Sequence, residues 1–219
     1  MDTTTALLIF HRLVAIYPHT ETHFLGFTNP FECLILTILS AQTTDATVNR
    51  IAPALFERYP TAEDLAAADP AELEEIIRPT GFYHAKGKNI IGAAAALIAR
   101  YNGGVPDRMD DLITLPGVGR KTANIVLHHA FGINAGVAVD THVRRLSQRI
   151  GLSETADPEK IERDLMALYP QELWGEITYV LIRHGREVCS ARKPACPSCL
   201  ISNICRYPGK TCEATAKKT

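Results

Sequence analysis

The 219-residue sequence predicts an all-α fold. Strand signals are scarce, helix starts recur along the chain, and brief glycine and proline breaks separate segments whose apolar residues repeat at helical spacing. Leu34 to Leu39 is apolar on nearly every side and predicts a buried central helix that ends in the polar run Ser40-Ala41-Gln42-Thr43-Thr44-Asp45. Asp69-Pro70-Ala71-Glu72 predicts a helix start: Asp69 caps, Pro70 fits the first turn, and Glu72 completes a capping-box-like pattern. Ile90, Ala94, Leu97 and Ile98 then form a core stripe. Asp157-Pro158 predicts another start, followed by Ile161, Leu165 and Leu168 at the same spacing. Breaks at Pro60, Pro79-Thr80-Gly81, Asn102-Gly103-Gly104, Pro116-Gly117 and Gly132 leave compact helices with short connections, and the chain carries no internal repeat or low-complexity linker.

The opening Met1-Asp2-Thr3-Thr4-Thr5 lacks the basic region of a secretory signal, and Ile90 to Ala99 is too short to cross a bilayer, so the expectation is a cytoplasmic protein. The net charge of −1 argues against a chain that coats nucleic acid indiscriminately. Charge is uneven, however. Glu63, Asp64, Asp69, Glu72, Glu74 and Glu75 crowd one segment without a base, whereas Arg183, Arg186, Arg192, Lys193, Arg206, Lys210, Lys217 and Lys218 dominate the C-terminal part against two acids. A basic face on a near-neutral protein is compatible with this pattern, as are ordinary solvated helix surfaces.

Leu115-Pro116-Gly117-Val118-Gly119-Arg120-Lys121-Thr122 joins a short helix, about 109–114, to a longer one, about 120–129. Gly117 and Gly119 permit positive φ and close approach of another chain, so amide N–H groups at the second helix's start can face a phosphate oxygen. A nucleotide P-loop is excluded, because Arg120 and Leu115 stand where that motif requires glycine and no strand precedes it. Lys121 lies in the first helical turn beside Arg120, where the helix dipole and the neighbouring cation both favour the neutral, nucleophilic amine. Such an amine can attack a sugar C1′, release the base and leave a Schiff base from which β-elimination breaks the strand. A lone lysine at a helix start is ordinarily a solvated charge, so this reading needs a partner. Asp140, in Val137-Ala138-Val139-Asp140-Thr141-His142-Val143, closes an apolar run; it suits either a helix cap or a carboxylate that takes protons and stabilises positive charge on the sugar.

Cys189-x6-Cys196-x2-Cys199-x5-Cys205 gathers four soft ligands that suit tetrahedral zinc or a cubane iron–sulfur cluster; spacing does not choose between them. Cys33 reads as a buried thiol and Cys212 as a spare one in a polar tail.

Together, Leu115 to Asn124, Val139-Asp140-Thr141-His142, Ser40-Ala41-Gln42 and the four cysteines resemble the helix-hairpin-helix DNA glycosylases, specifically the endonuclease III family, over nearly the whole chain. The resemblance implies a bifunctional glycosylase and abasic-site lyase that removes oxidised pyrimidines from double-stranded DNA, with Lys121 as Schiff-base nucleophile and Asp140 as the essential carboxylate. It implies a [4Fe-4S] cluster on Cys189, Cys196, Cys199 and Cys205, with zinc the alternative. It implies that the damaged nucleotide is flipped out, Gln42 filling the gap and Phe82 wedging the opposite strand. Phe82 and His84 stand where leucine and asparagine are common in the family, and the residues alone leave Phe82 open between wedge and buried aromatic. Gly117, Gly119, Arg120, His142, Arg186 and Lys193 are carried as further DNA contacts. The implied architecture is two helical domains with a DNA cleft between them: a six-helix barrel at 22–133 with its hairpin at about 109–129, and a cluster domain from 1–21 and 134–219. A monomer is expected. A glycosylase for adenine or mismatched thymine is a rival reading, and a lesion-binding module without catalysis is another; Lys121 with Asp140 argues against both.

Overall fold

The computed structural model describes residues 1–17 and 24–209, so Cys212, Lys210, Lys217, Lys218 and the boundary expected at 21/22 lie outside the described residues. Eleven α-helices and no strand occur among the described residues, in agreement with the all-α expectation. They are α1 Thr3–Ile16, α2 Pro30–Leu39, α3 Asp45–Arg58, α4 Ala62–Ala66, α5 Pro70–Ile77, α6 Tyr83–Tyr101, α7 Met109–Leu112, α8 Arg120–Phe131, α9 Thr141–Ile150, α10 Pro158–Leu168 and α11 Trp174–Glu187. The chain divides into two compact units, one of Met1–Thr22 with Gly136–Thr219 and the other of His23–Ala135.

Local signals explain most starts. Asp2, Asn29, Thr44, Thr61, Asp69, Asp140 and Asp157 each accept a backbone N–H in the first turn of the helix that follows. Pro70 and Pro158 open α5 and α10. Glu72 departs from the capping-box expectation, since its carboxylate instead accepts from Arg58 Nε and Nη2 at 2.7 and 2.9 Å. The α6 stripe also narrows: Ile90, Ala94 and Leu97 are fully buried, whereas Ile98 is exposed.

In the unit His23–Ala135, every residue of α2 from Cys33 to Leu39 is buried, and α2 packs against α8, α6 and α3. Its Ile38 lies against Gly117 in the turn before α8. In the other unit, α11 packs against α9 and α1, and α10 against α1 and α9. No helix among the described residues is long and apolar enough to cross a membrane.

Candidate nucleic-acid interface and catalytic residues

The hairpin connecting α7 to α8 is built around a glycine that no other residue replaces without strain. Gly117 has φ +78°, and a Cβ there would lie 2.9 Å from Asn89 Cβ and 3.1 Å from Ile38 Cγ2. Gly119 differs from the expectation of positive φ: its backbone is extended at φ −100°, and a Cβ would meet nothing within 4 Å. What Gly119 supplies is an uncovered approach, since nothing lies within 4 Å of a Cβ there and α8 has no side-chain cap. Lys121 is the second residue of α8, exposed, and makes no hydrogen bond or ion pair with any described residue. Arg120 beside it is also exposed.

Asp140 belongs to the other unit. It is half-buried and caps α9, Oδ1 accepting from Val143 N at 2.7 Å. The cap fixes the carboxyl group at the end of the apolar run Val137–Ala138, so the two sequence readings of Asp140 are compatible: capping engages Oδ1 and aims the group. His142 packs over Gly185, and its Nδ1 lies 3.2 Å from Arg145 Nη2. Burial pulls its pKa below the ordinary imidazole value; Asp140 acts in the opposite direction, and Arg145 and Arg186 deepen the shift. His142 is therefore tied into its own unit rather than projecting freely.

Two loops of the unit His23–Ala135 carry Gln42, Phe82 and His84. Gln42, just after α2, is exposed in the left-handed region at φ +53°. Phe82, just before α6, is likewise left-handed at φ +48° and 68% exposed, so it is not the buried aromatic that sequence left open. An apolar ring this exposed is held out by its backbone. His84 follows, with Nδ1 2.7 Å from Glu74 Oε2 and its ring against Tyr83. Between the loops lies Lys86, which is 5% exposed and was not singled out by sequence. Its Nζ donates to Thr43 Oγ1 at 2.6 Å and to the Thr80 carbonyl at 2.8 Å, and the Thr43 hydroxyl donates to the same carbonyl. The missed signal was positional: Lys86 stands one turn before Ile90 on the apolar stripe.

The four cysteines line one cavity of about 360 Å³, solvent-open space included, together with Ile150, His184 and Ile201. Around it, Arg145 Nη2 donates to the carbonyls of Gly185 and Cys189 at 2.9 and 3.1 Å. Arg149 donates to Ser190 O at 2.8 Å and Ala191 O at 2.7 Å, approaches Cys189 Sγ at 3.4 Å, and lies 4.5 Å over the Tyr207 ring. His184 is buried, its Nε2 3.4 Å from Cys199 Sγ and its Nδ1 3.3 Å from the Tyr17 hydroxyl. Burial holds the His184 pKa down at about 4 and pushes the Tyr17 phenol up to about 12, so at neutral pH both are uncharged. Tyr17, His184 and Cys199 thus form a short polar chain whose hydrogen-bond direction follows the imidazole tautomer. Sequence reasoning did not find Arg145, Arg149, Tyr17 or His184; the spacing of the two arginines on one face of α9 was the available signal. Arg186, Arg192 and Lys193 are exposed beside this segment.

Among the described residues no three His, Cys, Asp or Glu side chains converge on a point where one metal ion would sit. The thiols line a space instead, with an Arg149 N–H donating toward Cys189 Sγ and His184 Nε2 lying against Cys199 Sγ. Four thiols lining one cavity form a soft donor set of the kind that holds zinc or an iron–sulfur cluster.

Residues 35–171 match the family of HhH-GPD superfamily base excision DNA repair proteins. The chain is 54% identical over 202 residues to endonuclease III of Synechocystis sp., covering 92% of this chain and 90% of that one. It is 42% identical over 180 residues to endonuclease III of Thermotoga maritima, covering 82% and 84%. The fold is similar to that of a trapped endonuclease III–DNA covalent intermediate with an estranged adenine, with a TM-score of 0.89, 42% identity, and coverage of 94% of this chain and 96% of that one.

Proposed function

The chain belongs to the HhH-GPD superfamily of base excision DNA repair proteins and, within it, to the endonuclease III family, and from that membership we propose that it excises oxidised pyrimidines and cuts the strand through a Lys121 Schiff base. That it is a base-excision-repair DNA glycosylase follows from the family. The finer reading concerns what it removes and how. The observation that carries it is Lys121: an exposed amine in the first turn of α8, engaged by no described residue, on a helix start that no side chain caps.

In this mechanism the Lys121 amine, having lost a proton, attacks C1′ of the flipped nucleotide. The N-glycosidic bond breaks and the base leaves with its bonding electrons, taking up a proton. Asp140 takes up a proton released as the new C–N bond forms, and its charge stabilises positive charge growing on the sugar ring. The ring opens to a Schiff base, loss of a proton from C2′ follows, and the 3′ phosphate is expelled. Gln42 fills the vacated position and the Phe82 ring wedges the opposite strand; an exposed ring on a left-handed backbone is suited to that use. Flipping costs a few kcal/mol, least for a damaged base that stacks poorly, so the inserted side chains need to offset only part of it. Gly117, Gly119 and Arg120 anchor phosphate, with Arg186 and Lys193 adding contacts from the basic segment.

Cys189, Cys196, Cys199 and Cys205 hold a [4Fe-4S] cluster in this reading. When bound, it serves as a cross-link that orders the segment 189–205. Arg145, Arg149 and His184 hold the segment's carbonyls and sulfurs in place for it. Iron and zinc counts on purified protein, with a visible spectrum, decide the metal: a colourless protein with stoichiometric zinc would end the cluster assignment.

The proposed chemistry is tested with a panel of duplexes carrying thymine glycol, an abasic site, mismatched thymine or a mispaired adenine, each with borohydride present. Trapping on thymine glycol and on the abasic site is expected, and preference for adenine or mismatched thymine would overturn the substrate assignment. Asp140→Asn keeps a residue equally good at capping while removing the carboxylate. Its base release should fall by about 10²- to 10⁴-fold with the melting temperature nearly unchanged; unchanged activity would leave Asp140 only its cap.

A further inference from the structure

Lys86 joins the two loops that carry Gln42 and Phe82. Thr43 directly follows Gln42, and Thr80 lies two residues before Phe82. The Lys86 ammonium donates to Thr43 Oγ1 at 2.6 Å and to the Thr80 carbonyl at 2.8 Å, and the Thr43 hydroxyl closes the triangle onto that carbonyl. The Lys86 amide also donates to the Phe82 carbonyl at 3.0 Å, and Thr80 Oγ1 to Ile77 O at 2.8 Å. Segments 37 residues apart in sequence thus share one polar knot. Lys86 and Thr80 are 5% and 3% exposed, and burial lowers the lysine's pKa from its ordinary value. No carboxylate pairs with the ammonium among the described residues; its partners are neutral oxygens from the two loops.

A buried lysine without a counter-ion is an unfavourable way to join two loops if stability alone were served, because an apolar residue would fill the space without the desolvation penalty. What the ammonium adds is direction. Gln42 and Phe82 are two of the three non-glycine residues with positive φ among the described residues, and such backbones persist only where the surroundings over-determine them. The knot sits beside both. The geometry points to Lys86 as a positioning residue that fixes Gln42 and Phe82 in mutual register, so that the two side chains enter a duplex as one tool on opposite strands; this rests on the proposed use of those two residues in nucleotide flipping.

The variants are Lys86→Met, which keeps the apolar stem, and Thr43→Val, which keeps the shape of threonine, with Thr43→Ser returning the hydroxyl. The first readout needs no chemistry: fluorescence of 2-aminopurine placed opposite a tetrahydrofuran abasic analogue, which rises when a side chain breaks its stacking. The second is single-turnover release of thymine glycol against β-elimination at a preformed abasic site, where no base has to be unstacked. Lys86→Met and Thr43→Val should lose most of the fluorescence rise and slow base release by about tenfold or more, as misplacement of positioning groups does. Cleavage at the preformed site should stay within about twofold, and Thr43→Ser should recover both readouts. Full fluorescence in both variants, or equal loss of base release and cleavage, would overturn the assignment. If Lys86→Met does not fold, Thr43→Val decides on the same criteria. Wild-type protein that gives the fluorescence rise, lost in the variants, but releases no thymine glycol would overturn the substrate reading and support the positioning role.

Discussion

Helix α2 and the cysteine segment make short peptides rigid in opposite ways. From Cys33 to Leu39 every residue of α2 is buried, and the helix is held by apolar packing against α8, α6 and α3. Between 189 and 209 only Ile201 is buried among the described residues, and the segment is held by guanidinium groups of Arg145 and Arg149, by His184, and by four thiols around a cavity. The hairpin with Lys121 thus inherits its order from a hydrophobic core, whereas the basic residues Arg192 and Lys193 inherit theirs from polar contacts and, in the proposed reading, from a metal group. Perturbations that ruin one should spare the other.

The largest expected effect is on the cysteine segment. Cys199→Ala should remove most of the bound metal and raise hydrogen exchange throughout 189–209, because free energy of metal binding is free energy of local folding, about 10 kcal/mol or more for structural sites. Amides of α2 should stay protected; their equal exposure would erase the contrast. Next comes Arg149→Ala, which strips the donors from Ser190 O and Ala191 O and uncovers Tyr207. It should destabilise by about 2 kcal/mol, the scale of charge-assisted hydrogen bonds, with exchange again confined to the cysteine segment. Gly117→Ala acts on the other side of the comparison. Positive φ together with a Cβ 2.9 Å from Asn89 Cβ should lower the urea-unfolding free energy by about 2 kcal/mol and weaken binding to undamaged duplex, leaving the metal content intact.

The smallest effect reads the α2 core itself. Burial pushes the Cys33 thiol up to about 12 from 9.0, only partly opposed by the hydrogen bond with Thr37. A folded-state pKa above the unfolded one gives stability that is complete below the unfolded value and declines as pH rises toward the folded one. The stability difference between wild type and Cys33→Ala should therefore shrink by on the order of 1 kcal/mol per pH unit above 9.0, measured by urea unfolding. A difference independent of pH would mean that the thiol is not shielded.

Much of the fold could be read from local signals. Asp69-Pro70 and Asp157-Pro158 announce helices because cap and proline act on the backbone within one turn, and the structure starts α5 and α10 there. The apolar run at 34–39 announced a buried helix because no polar face was available. The features that failed to show are those whose partners are distant. Glu72 turned from the capping box to Arg58, 14 residues away. Arg149 meets carbonyls 41 and 42 residues downstream, and carbonyls leave no mark in a sequence. Lys86 on an apolar stripe looked like an interruption, because the loop oxygens that accept from it are brought there only by folding. For the site, Lys121, Asp140 and the cysteines stood out through the resemblance of whole motifs, while the groups that aim and hold them did not.

Whether Lys121 is the nucleophile is decided by peptide mapping of the borohydride-trapped adduct by mass spectrometry. The reduced sugar is expected on Lys121 Nζ, with no adduct from Lys121→Ala; an adduct on another lysine or on the N-terminal amine of wild-type protein would rule Lys121 out.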